Sequence, residues 1–290
     1  MPLLEIHCLT GYSIQYTVVK SKRRKAKMRQ RGWENPTIPE AEKFQTVRRI
    51  NYAEAGNEYQ SLFLSVPKGA ARTPTVVFFH GGGMTRDVRE TPDELFDNGR
   101  YIVAECRYRL SPEFDPRYAL EDAADAVAWV LRNIVDYGGD PARVFLGGMS
   151  AGAWLAALVG MNPELLQRRG FDCHTLLGLV LISGQMTTHF RLKADLKYPG
   201  PRFAPVIDEY APLHYAAADL PPVLMVTGEP GLDIACRAEE NSLMRSALKA
   251  LGHKDVSHFI MTGCDHVGAF YHSGTAVSAF LLRHTEKLFL

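Results

Sequence analysis

Short apolar runs that alternate with amphipathic helical segments constrain the fold of this chain more than any other feature of its sequence. Residues 75–79 and 176–183 are nearly continuous apolar stretches, which are typical of strands buried on both faces. Residues 117–137 and 237–251 carry apolar side chains at helical spacing. Strands that alternate with helices of this length predict an α/β fold, in which helices cover both faces of a mainly parallel sheet.

The predicted elements also indicate where functional groups should lie. Strands are predicted at residues 59–66, 75–79, 101–106, 143–146, 176–183, 222–227 and 256–261, and helices at 117–137, 151–161, 237–251 and 276–288. In open sheets of this kind, functional side chains lie on loops beyond the carboxyl ends of the strands. We therefore expect each catalytic motif to follow a strand.

A serine in a glycine-flanked turn is the first such motif. The segment Gly148-Met149-Ser150-Ala151-Gly152 follows one predicted strand and opens a helix of small residues. In the G-x-S-x-G pattern, a sharp strand-to-helix turn exposes the serine, and small flanking residues let the backbones pass. The alternative is a Gly/Ser turn that merely starts a helix. The strand-turn-helix context favours Ser150 as a nucleophile.

The second motif is His80-Gly81-Gly82-Gly83, which comes directly after the predicted strand at 75–79. Consecutive glycines allow backbone N–H groups to point at one spot, and with the N–H of Ala151 they would form an oxyanion hole. Each such donor contributes roughly 3 kcal/mol of transition-state stabilisation. Alone, the motif would also fit a flexible loop or an anion-binding nest.

A general base must lie within hydrogen-bond reach of the serine. Of the ten histidines, His266 is best placed, because it follows the last predicted strand. The adjoining Cys264 and Asp265 could suggest a metal site, but no second cluster completes one, so no metal is predicted.

Taken together, these motifs resemble the α/β-hydrolase carboxylesterases and lipases, in particular the branch near hormone-sensitive lipase. The resemblance runs from about residue 66 to the C terminus and includes the segments 108–113 and 138–141, which look architectural. It implies an α/β-hydrolase fold with a small cap or lid and no cofactor. The roles it implies are nucleophile for Ser150, base for His266, and oxyanion donors for Gly82, Gly83 and Ala151.

The third member of the triad departs from the family pattern. The family places its acid just beyond the sixth predicted strand, commonly three residues after a glycine. Counted from Gly228, that position is Gly231, which has no carboxylate. We favour Asp233, because it lies farther into the loop and can turn back toward His266, and we keep Glu229 as the alternative acid. Loss of the acid can cost ~10⁴ in kcat.

Charge and cysteine content exclude several other classes. The 33 basic and 32 acidic residues leave a net charge of +1, which argues against a surface built for nucleic acid. No apolar run approaches the ~20 residues that a transmembrane helix needs. The five scattered cysteines form no C-x-x-C pair, and the N terminus lacks a secretory pattern, so reduced thiols and a cytoplasmic location are expected.

Two segments lie outside this catalytic pattern. Residues 1–45 are predicted to be an N-terminal extension that contributes to the cap, with eight basic residues between 20 and 31. We interpret these charges as a solvated extension rather than a patch for nucleic acid or anionic lipid. Residues 46–290 form the predicted catalytic domain. Within it, residues 185–215 form a predicted lid, whose aromatic residues suggest an apolar substrate group: Phe190, Tyr198, Phe203, Tyr210 and Tyr215.

The sequence thus predicts a serine hydrolase that cleaves a small to medium carboxylic ester through an acyl-enzyme intermediate. An amidase or formamidase with the same triad and a non-catalytic binding protein on this fold are the alternatives. The expected partner is a small-molecule ester, with no nucleic acid, and the sequence leaves a homodimer open. Neither G-x-x-x-x-G-K-[ST] nor G-x-G-x-x-G occurs, so a phosphate-handling enzyme is disfavoured.

Overall fold

A central sheet of eight strands organises the part of the chain that the computed structural model describes, residues 33, 38, 41–54 and 56–286. The strands are β1 (Phe44–Asn51), β2 (Ser61–Pro67), β3 (Thr73–Phe79), β4 (Ile102–Cys106), β5 (Gly139–Met149), β6 (Gly178–Ile182), β7 (Val223–Gly228) and β8 (Val256–Met261). Their order across the sheet is β1-β2-β4-β3-β5-β6-β7-β8. Strand β2 is antiparallel to both β1 and β4, and the remaining pairs are parallel.

Helices follow most of the parallel strands. The α-helices are α1 (Arg117–Asn133), α2 (Ala151–Met161), α3 (Pro163–Gln167), α4 (Phe190–Asp195), α5 (Arg237–Leu251), α6 (His266–His272) and α7 (Gly274–Glu286). Short 3-10 helices lie at Ala41–Lys43, Asp93–Gly99, Ile134–Tyr137, Cys173–Thr175 and Pro212–Tyr215. No helix in residues 41–54 or 56–286 is long and apolar enough to span a membrane.

Alternate side chains of the central strands pack into two hydrophobic cores, one on each face of the sheet. In β3, Val77 and Phe79 join the core covered by α1, α2, α3 and α5, while Val76 and Phe78 join the core covered by α7. This alternation follows from the period of two residues along a strand. The predicted α/β fold with helices on both faces is confirmed.

Helix α2 lies so deep that all of its residues are buried. A Cβ atom on Gly160 would lie 2.5 Å from the Leu179 side chain, so small residues are needed where the helix crosses β6. The indole of Trp154 is buried, and its Nε1–H donates to the Tyr210 carbonyl oxygen at 2.9 Å. The helix therefore provides a rigid platform directly behind Ser150.

Each of the seven predicted strands overlaps a strand of the structure, and the prediction missed β1. This strand pairs with β2 alone at the edge of the sheet, and it carries the exposed Arg48 and Arg49. Charged residues are common on edge strands, since one side of such a strand faces solvent. The predicted helix at 117–137 divides into α1 and a 3-10 turn, which ends at Gly138 with φ +78°.

The basic segment at 20–31 lies outside the described residues, as does most of the predicted extension. Strand β1 begins at Phe44, close to the predicted boundary at residue 46. The division into an extension and a catalytic domain stays a prediction.

Candidate active site

The order of the strands brings two of the predicted motifs together. Strand β3 lies between β4 and β5 in the sheet. After β3 the chain forms β4 on one side of β3, and it then crosses to form β5 on the other side. Phe79 at the end of β3 pairs with Gly148 near the end of β5. Such a switch point opens a crevice at the carboxyl edge of a parallel sheet. A Cβ atom on Gly81 would lie 3.4 Å from the Cβ of Ser150.

Ser150 occupies a strained turn between β5 and α2. Its φ of +54° and ψ of −113° are unusual for a residue with a side chain, and such strain costs of order 1–3 kcal/mol. A Cβ atom on Gly148 would lie 2.4 Å from the Gly152 carbonyl group, and one on Gly152 would lie 2.1 Å from the Phe79 oxygen. The two glycines therefore permit the close crossing that exposes the serine side chain to the crevice.

His266 reaches the serine from the first turn of α6. Its Nε2 lies 2.9 Å from the Ser150 Oγ, and its Nδ1 lies 2.6 Å from Oδ1 of Asp233. The neighbouring Asp265 caps α6, because its carboxylate accepts a hydrogen bond from the Gly268 N–H at 2.7 Å. This cap orients the turn that carries the imidazole.

Four donors surround the carboxylate of Asp233, on the loop between β7 and α5. Oδ2 accepts from the Ser183 hydroxyl and the Gly228 N–H, each at 2.8 Å, and Oδ1 accepts from the Ile234 N–H at 2.7 Å and from His266. Burial raises the pKa of Asp233, but the hydrogen bond and charge of His266, with the Gly228 and Ser183 donors, outweigh it and lower the pKa to about 2. The ionised carboxylate holds the imidazole proton on Nδ1, so Nε2 is free to accept a proton from Ser150.

Glu229, the alternative acid, points elsewhere. Its Oε2 accepts a hydrogen bond from the Gly263 N–H at 2.5 Å. The loop then turns through Gly231, whose φ is +84°, and the Asp233 N–H donates to the Glu229 carbonyl oxygen at 3.0 Å. This extra turn carries Asp233, and not Glu229, to His266.

The glycine loop has the backbone conformation that only glycine adopts freely. Gly82 and Gly83 have φ of +88° and +65°, and a Cβ atom on Gly82 would lie 2.5 Å from the Arg86 carbonyl oxygen. Ala151 is the first residue of α2, where N–H groups lack an acceptor within the helix. Of the three predicted oxyanion donors, Gly82 and Gly83 line the crevice, and Ala151 directly follows Ser150.

Tyr108 supports this loop from beneath. Its hydroxyl lies 2.9 Å from the His80 carbonyl oxygen and 3.0 Å from that of Gly81. The ring of His80 stacks on the tyrosine at 4.4 Å, and burial lowers the pKa of His80 to about 4. His80 is therefore neutral at pH 7 and belongs to the frame of the loop.

Comparison with known proteins agrees with this fold. A family model for the α/β-hydrolase fold matches residues 76–197, which include the glycine loop and Ser150. The chain has the α/β-hydrolase fold. The predicted resemblance to carboxylesterases and lipases is thereby confirmed.

The chain is similar to two curated proteins of Mycobacterium tuberculosis. It is 40% identical to the carboxylic ester hydrolase LipN over 98 residues, which are 32% of this chain and 26% of the relative. It is 34% identical to the carboxylesterase NlhH over 90 residues, which are 30% of this chain and 28% of the relative. The chain thus spans about a quarter of the length of these relatives.

Two solved structures have the same fold. A Thermogutta terrifontis esterase with bound butyrate has a TM-score of 0.62 at 22% identity, over 87% of this chain and 95% of that chain. A Pyrobaculum calidifontis esterase has a TM-score of 0.61 at 24% identity, over 84% of this chain and 86% of that chain.

The crevice of this chain is a cavity of about 740 Å³ with Ser150 and His266 in its wall. Of the aromatic residues in the predicted lid, Phe190 and Tyr198 line it. Sequence reasoning missed Glu90, whose side chain lines the cavity and whose pKa is raised by burial. It also missed Ser183, although this residue directly follows β6 at the same edge of the sheet.

One group of potential metal ligands occurs among the described residues. The ligand atoms of Asp172, Cys173 and His174 lie within 4.8 Å of one another, on a turn before β6. The Asp172 carboxylate caps that turn by accepting from the His174 N–H at 3.0 Å. The turn geometry accounts for this cluster.

Proposed function

We propose that this α/β-hydrolase is a carboxylic ester hydrolase that uses Ser150 as nucleophile, His266 as base and Asp233 as the triad acid. The observation that carries the proposal is the continuous hydrogen-bonded chain from Ser150 through His266 to Asp233, with distances of 2.9 and 2.6 Å, at the wall of an open cavity. Nucleophile, base and orienting group within hydrogen-bond reach form the arrangement that acyl transfer requires.

In the acylation step, the Ser150 Oγ attacks the ester carbonyl carbon while His266 Nε2 accepts the hydroxyl proton. Asp233 stabilises the imidazolium that forms. The N–H groups of Gly82, Gly83 and Ala151 stabilise the negative charge on the carbonyl oxygen. When the carbon–oxygen bond to the leaving group breaks, His266 returns the proton to it, which releases the alcohol and leaves an acylated serine.

Water completes the cycle. His266 accepts a proton from a water molecule as the oxygen attacks the acyl carbon. Collapse of the second tetrahedral intermediate breaks the bond to Ser150, and His266 returns the proton to Oγ. The products are one carboxylic acid and one alcohol, and the enzyme regains its starting protonation state.

The names of the relatives support an ester over an amide, because the curated proteins above are named as ester hydrolases. An amidase or formamidase would use the same groups, with His266 protonating a leaving amine. The hypothesis of a non-catalytic binding protein depended on the displaced acid, and the contact of Asp233 with His266 counts against it.

Hydrolysis of p-nitrophenyl acetate, butyrate and octanoate tests the proposal. We expect Ser150→Ala to lose at least ~10³-fold in kcat, because the nucleophile is removed while the frame of the site remains. Ser246→Ala is the control, since this hydroxyl bonds within α5 to the Ser242 carbonyl oxygen. A fluorophosphonate should label the wild type at Ser150. Undiminished turnover by Ser150→Ala would contradict the proposal.

A further inference from the structure

The cavity around Ser150 is unexpectedly basic for a site predicted to take an apolar group. Among the described residues that line it, four are cationic, Arg86, Arg191, Lys193 and Arg202, and one is a carboxylate, Glu90. The predicted preference assumed that the lid aromatics face the substrate. Because Phe203, Tyr210 and Tyr215 lie outside the lining, this basis for an apolar preference is weakened.

Two of the four cationic side chains, those of Arg191 and Lys193, bind to other groups of the protein. Arg191 forms an ion pair with Asp195 at 2.6 Å, and its Nε–H donates to the Ser111 hydroxyl at 2.9 Å. The ammonium group of Lys193 donates to the Ala204 carbonyl oxygen. Their charges are therefore engaged within the lid.

Arg86 and Arg202 have no such partner. Among residues 41–54 and 56–286, neither arginine forms an ion pair. Both are exposed at the cavity wall. A guanidinium in this state can bind an incoming carboxylate through two parallel hydrogen bonds.

Both arginines flank the glycine loop. A Cβ atom on Gly82 would lie 3.1 Å from the Cβ of Arg86. On the lid, the Arg202 guanidinium stacks on the Phe190 ring at 4.4 Å, and that ring lies 3.5 Å from the position of a Cβ on Gly83. Stacking restricts the side chain but leaves the in-plane N–H donors available. The two cations thus stand beside the residues proposed to bind the oxyanion.

Glu90 offsets this charge only in part, because it is one carboxylate beside four cationic residues. Burial raises the pKa of Glu90, and a hydrogen bond from the Gly81 backbone and the charges of Arg86 and His266 act in the opposite direction. A Cβ atom on Gly81 would lie 3.0 Å from the Glu90 Oε2, so this side chain also packs against the glycine loop.

We propose that the preferred esters of this α/β-hydrolase carry a carboxylate remote from the scissile bond, bound by Arg86 and Arg202. This inference rests on the proposed ester hydrolysis and names its substrate class. A carboxylate on the acyl group and one on the alcohol group present the same chemistry, so the test includes both.

Matched substrates separate charge from shape. For the acyl arm we would compare monomethyl adipate with methyl adipamate, in which a neutral amide replaces the free carboxylate. For the alcohol arm we would compare 4-butyryloxybutanoate with its amide. Acid release is followed by pH-stat titration. We expect kcat/KM to favour the carboxylate by about ten- to a hundredfold in one arm, as for hydrogen bonds between charged groups. The preference should shrink as salt is added.

The arginine variants test the assignment. Arg86→Met and Arg202→Met should each reduce the carboxylate-to-amide ratio of kcat/KM, and the double variant should bring it close to one. Arg132→Met is the matched control, because Arg132 also stacks on a phenylalanine, Phe171 at 5.2 Å, but does not line the cavity. Its ratio should equal that of the wild type.

The outcomes distinguish the two proposals. Hydrolysis of p-nitrophenyl butyrate with a ratio near one in both arms would overturn the carboxylate preference and leave the esterase standing. A ratio that the double variant retains would overturn the assignment to these arginines. If the wild type hydrolyses none of the esters and Ser150 is not labelled, both proposals fail.

Discussion

Replacement of Asp233 by asparagine tests the catalytic assignment most sharply, because the structure defines all four of the donors that the carboxylate meets. The Ser183 hydroxyl and the Gly228 N–H approach one oxygen, and the Ile234 N–H and His266 approach the other. An amide has one oxygen and one NH₂ group. Whichever way it is turned, the NH₂ group faces a backbone N–H, of Gly228 or of Ile234, and leaves that donor without its acceptor.

The two orientations of the amide harm catalysis in different ways. With NH₂ toward His266, the amide donates to Nδ1 and shifts the imidazole proton to Nε2, which then cannot accept the serine proton. With oxygen toward His266, the tautomer survives but the negative charge that stabilises the imidazolium is gone. We expect Asp233→Asn to lower kcat by ~10³ to 10⁴. The unpaired backbone donor should also lower the free energy of unfolding by about 1–3 kcal/mol.

The assay is saturation kinetics with p-nitrophenyl butyrate at neutral pH, with thermal unfolding to establish that each variant is folded. Glu229→Gln is the matched control, since its side chain bonds to the Gly263 N–H on the far side of the loop. It should keep kcat within about threefold, as expected for a substitution away from the reacting groups. An Asp233→Asn enzyme within tenfold of the wild type, or a larger loss in Glu229→Gln, would refute the assignment.

Three further predictions concern the frame of the site. Tyr108→Phe removes the hydroxyl that bonds two loop carbonyl oxygens, so kcat should fall about tenfold and stability by about 1–3 kcal/mol; in Tyr118→Phe, an exposed control, steady-state kinetics should be unchanged. Gly152→Ala would place a methyl group 2.1 Å from the Phe79 oxygen, so calorimetry should show a loss of several kcal/mol or no folded protein at all, and a wild-type melting temperature would contradict the close approach. Because the pKa of Asp233 is lowered to about 2, its ionised form stabilises the folded state above the ordinary aspartate pKa of about 4. This contribution should disappear as the pH falls from about 4 to 2, and urea titrations of the wild type and Asp233→Asn should converge over that range.

Local patterning of strands and helices accounts for much of the fold. Buried strands and amphipathic helices can be predicted from the local periodicity of apolar residues. The predicted bounds of α2 and α5 are those of the structure. Strand β1 was missed because its two arginines interrupt the apolar pattern that indicates a strand. Its strand conformation is stabilised by pairing with β2. The strand is therefore defined by its pairing with the next strand and not by its own periodicity.

The glycine loop and the serine turn were also predictable, because both depend on conformations that nearby residues impose. Only glycine tolerates the crossings at Gly148 and Gly152, and the glycines of the loop after β3 follow the same rule. His266 could be singled out by its place after the last strand, since parallel strands end at one edge.

Which carboxylate contacts His266, and which charges line the cavity, depend on the tertiary structure. Glu229 and Asp233 lie four residues apart, and counting along the chain cannot tell which carboxylate faces His266. The turn at Gly231 and donors from Ser183 and Gly228 decide it, and Ser183 comes from another strand.

The basic wall of the cavity likewise joins Arg86, next to the glycine loop, with Arg202 on a segment more than a hundred residues later. The amino-acid composition does not reveal this local positive charge, because the 33 basic and 32 acidic residues nearly cancel over the whole chain. A sequence specifies local conformations through steric limits and periodicity. The electrostatic field within a crevice depends instead on which charges, distant in sequence, the fold brings together and which of these lack an ion-pair partner.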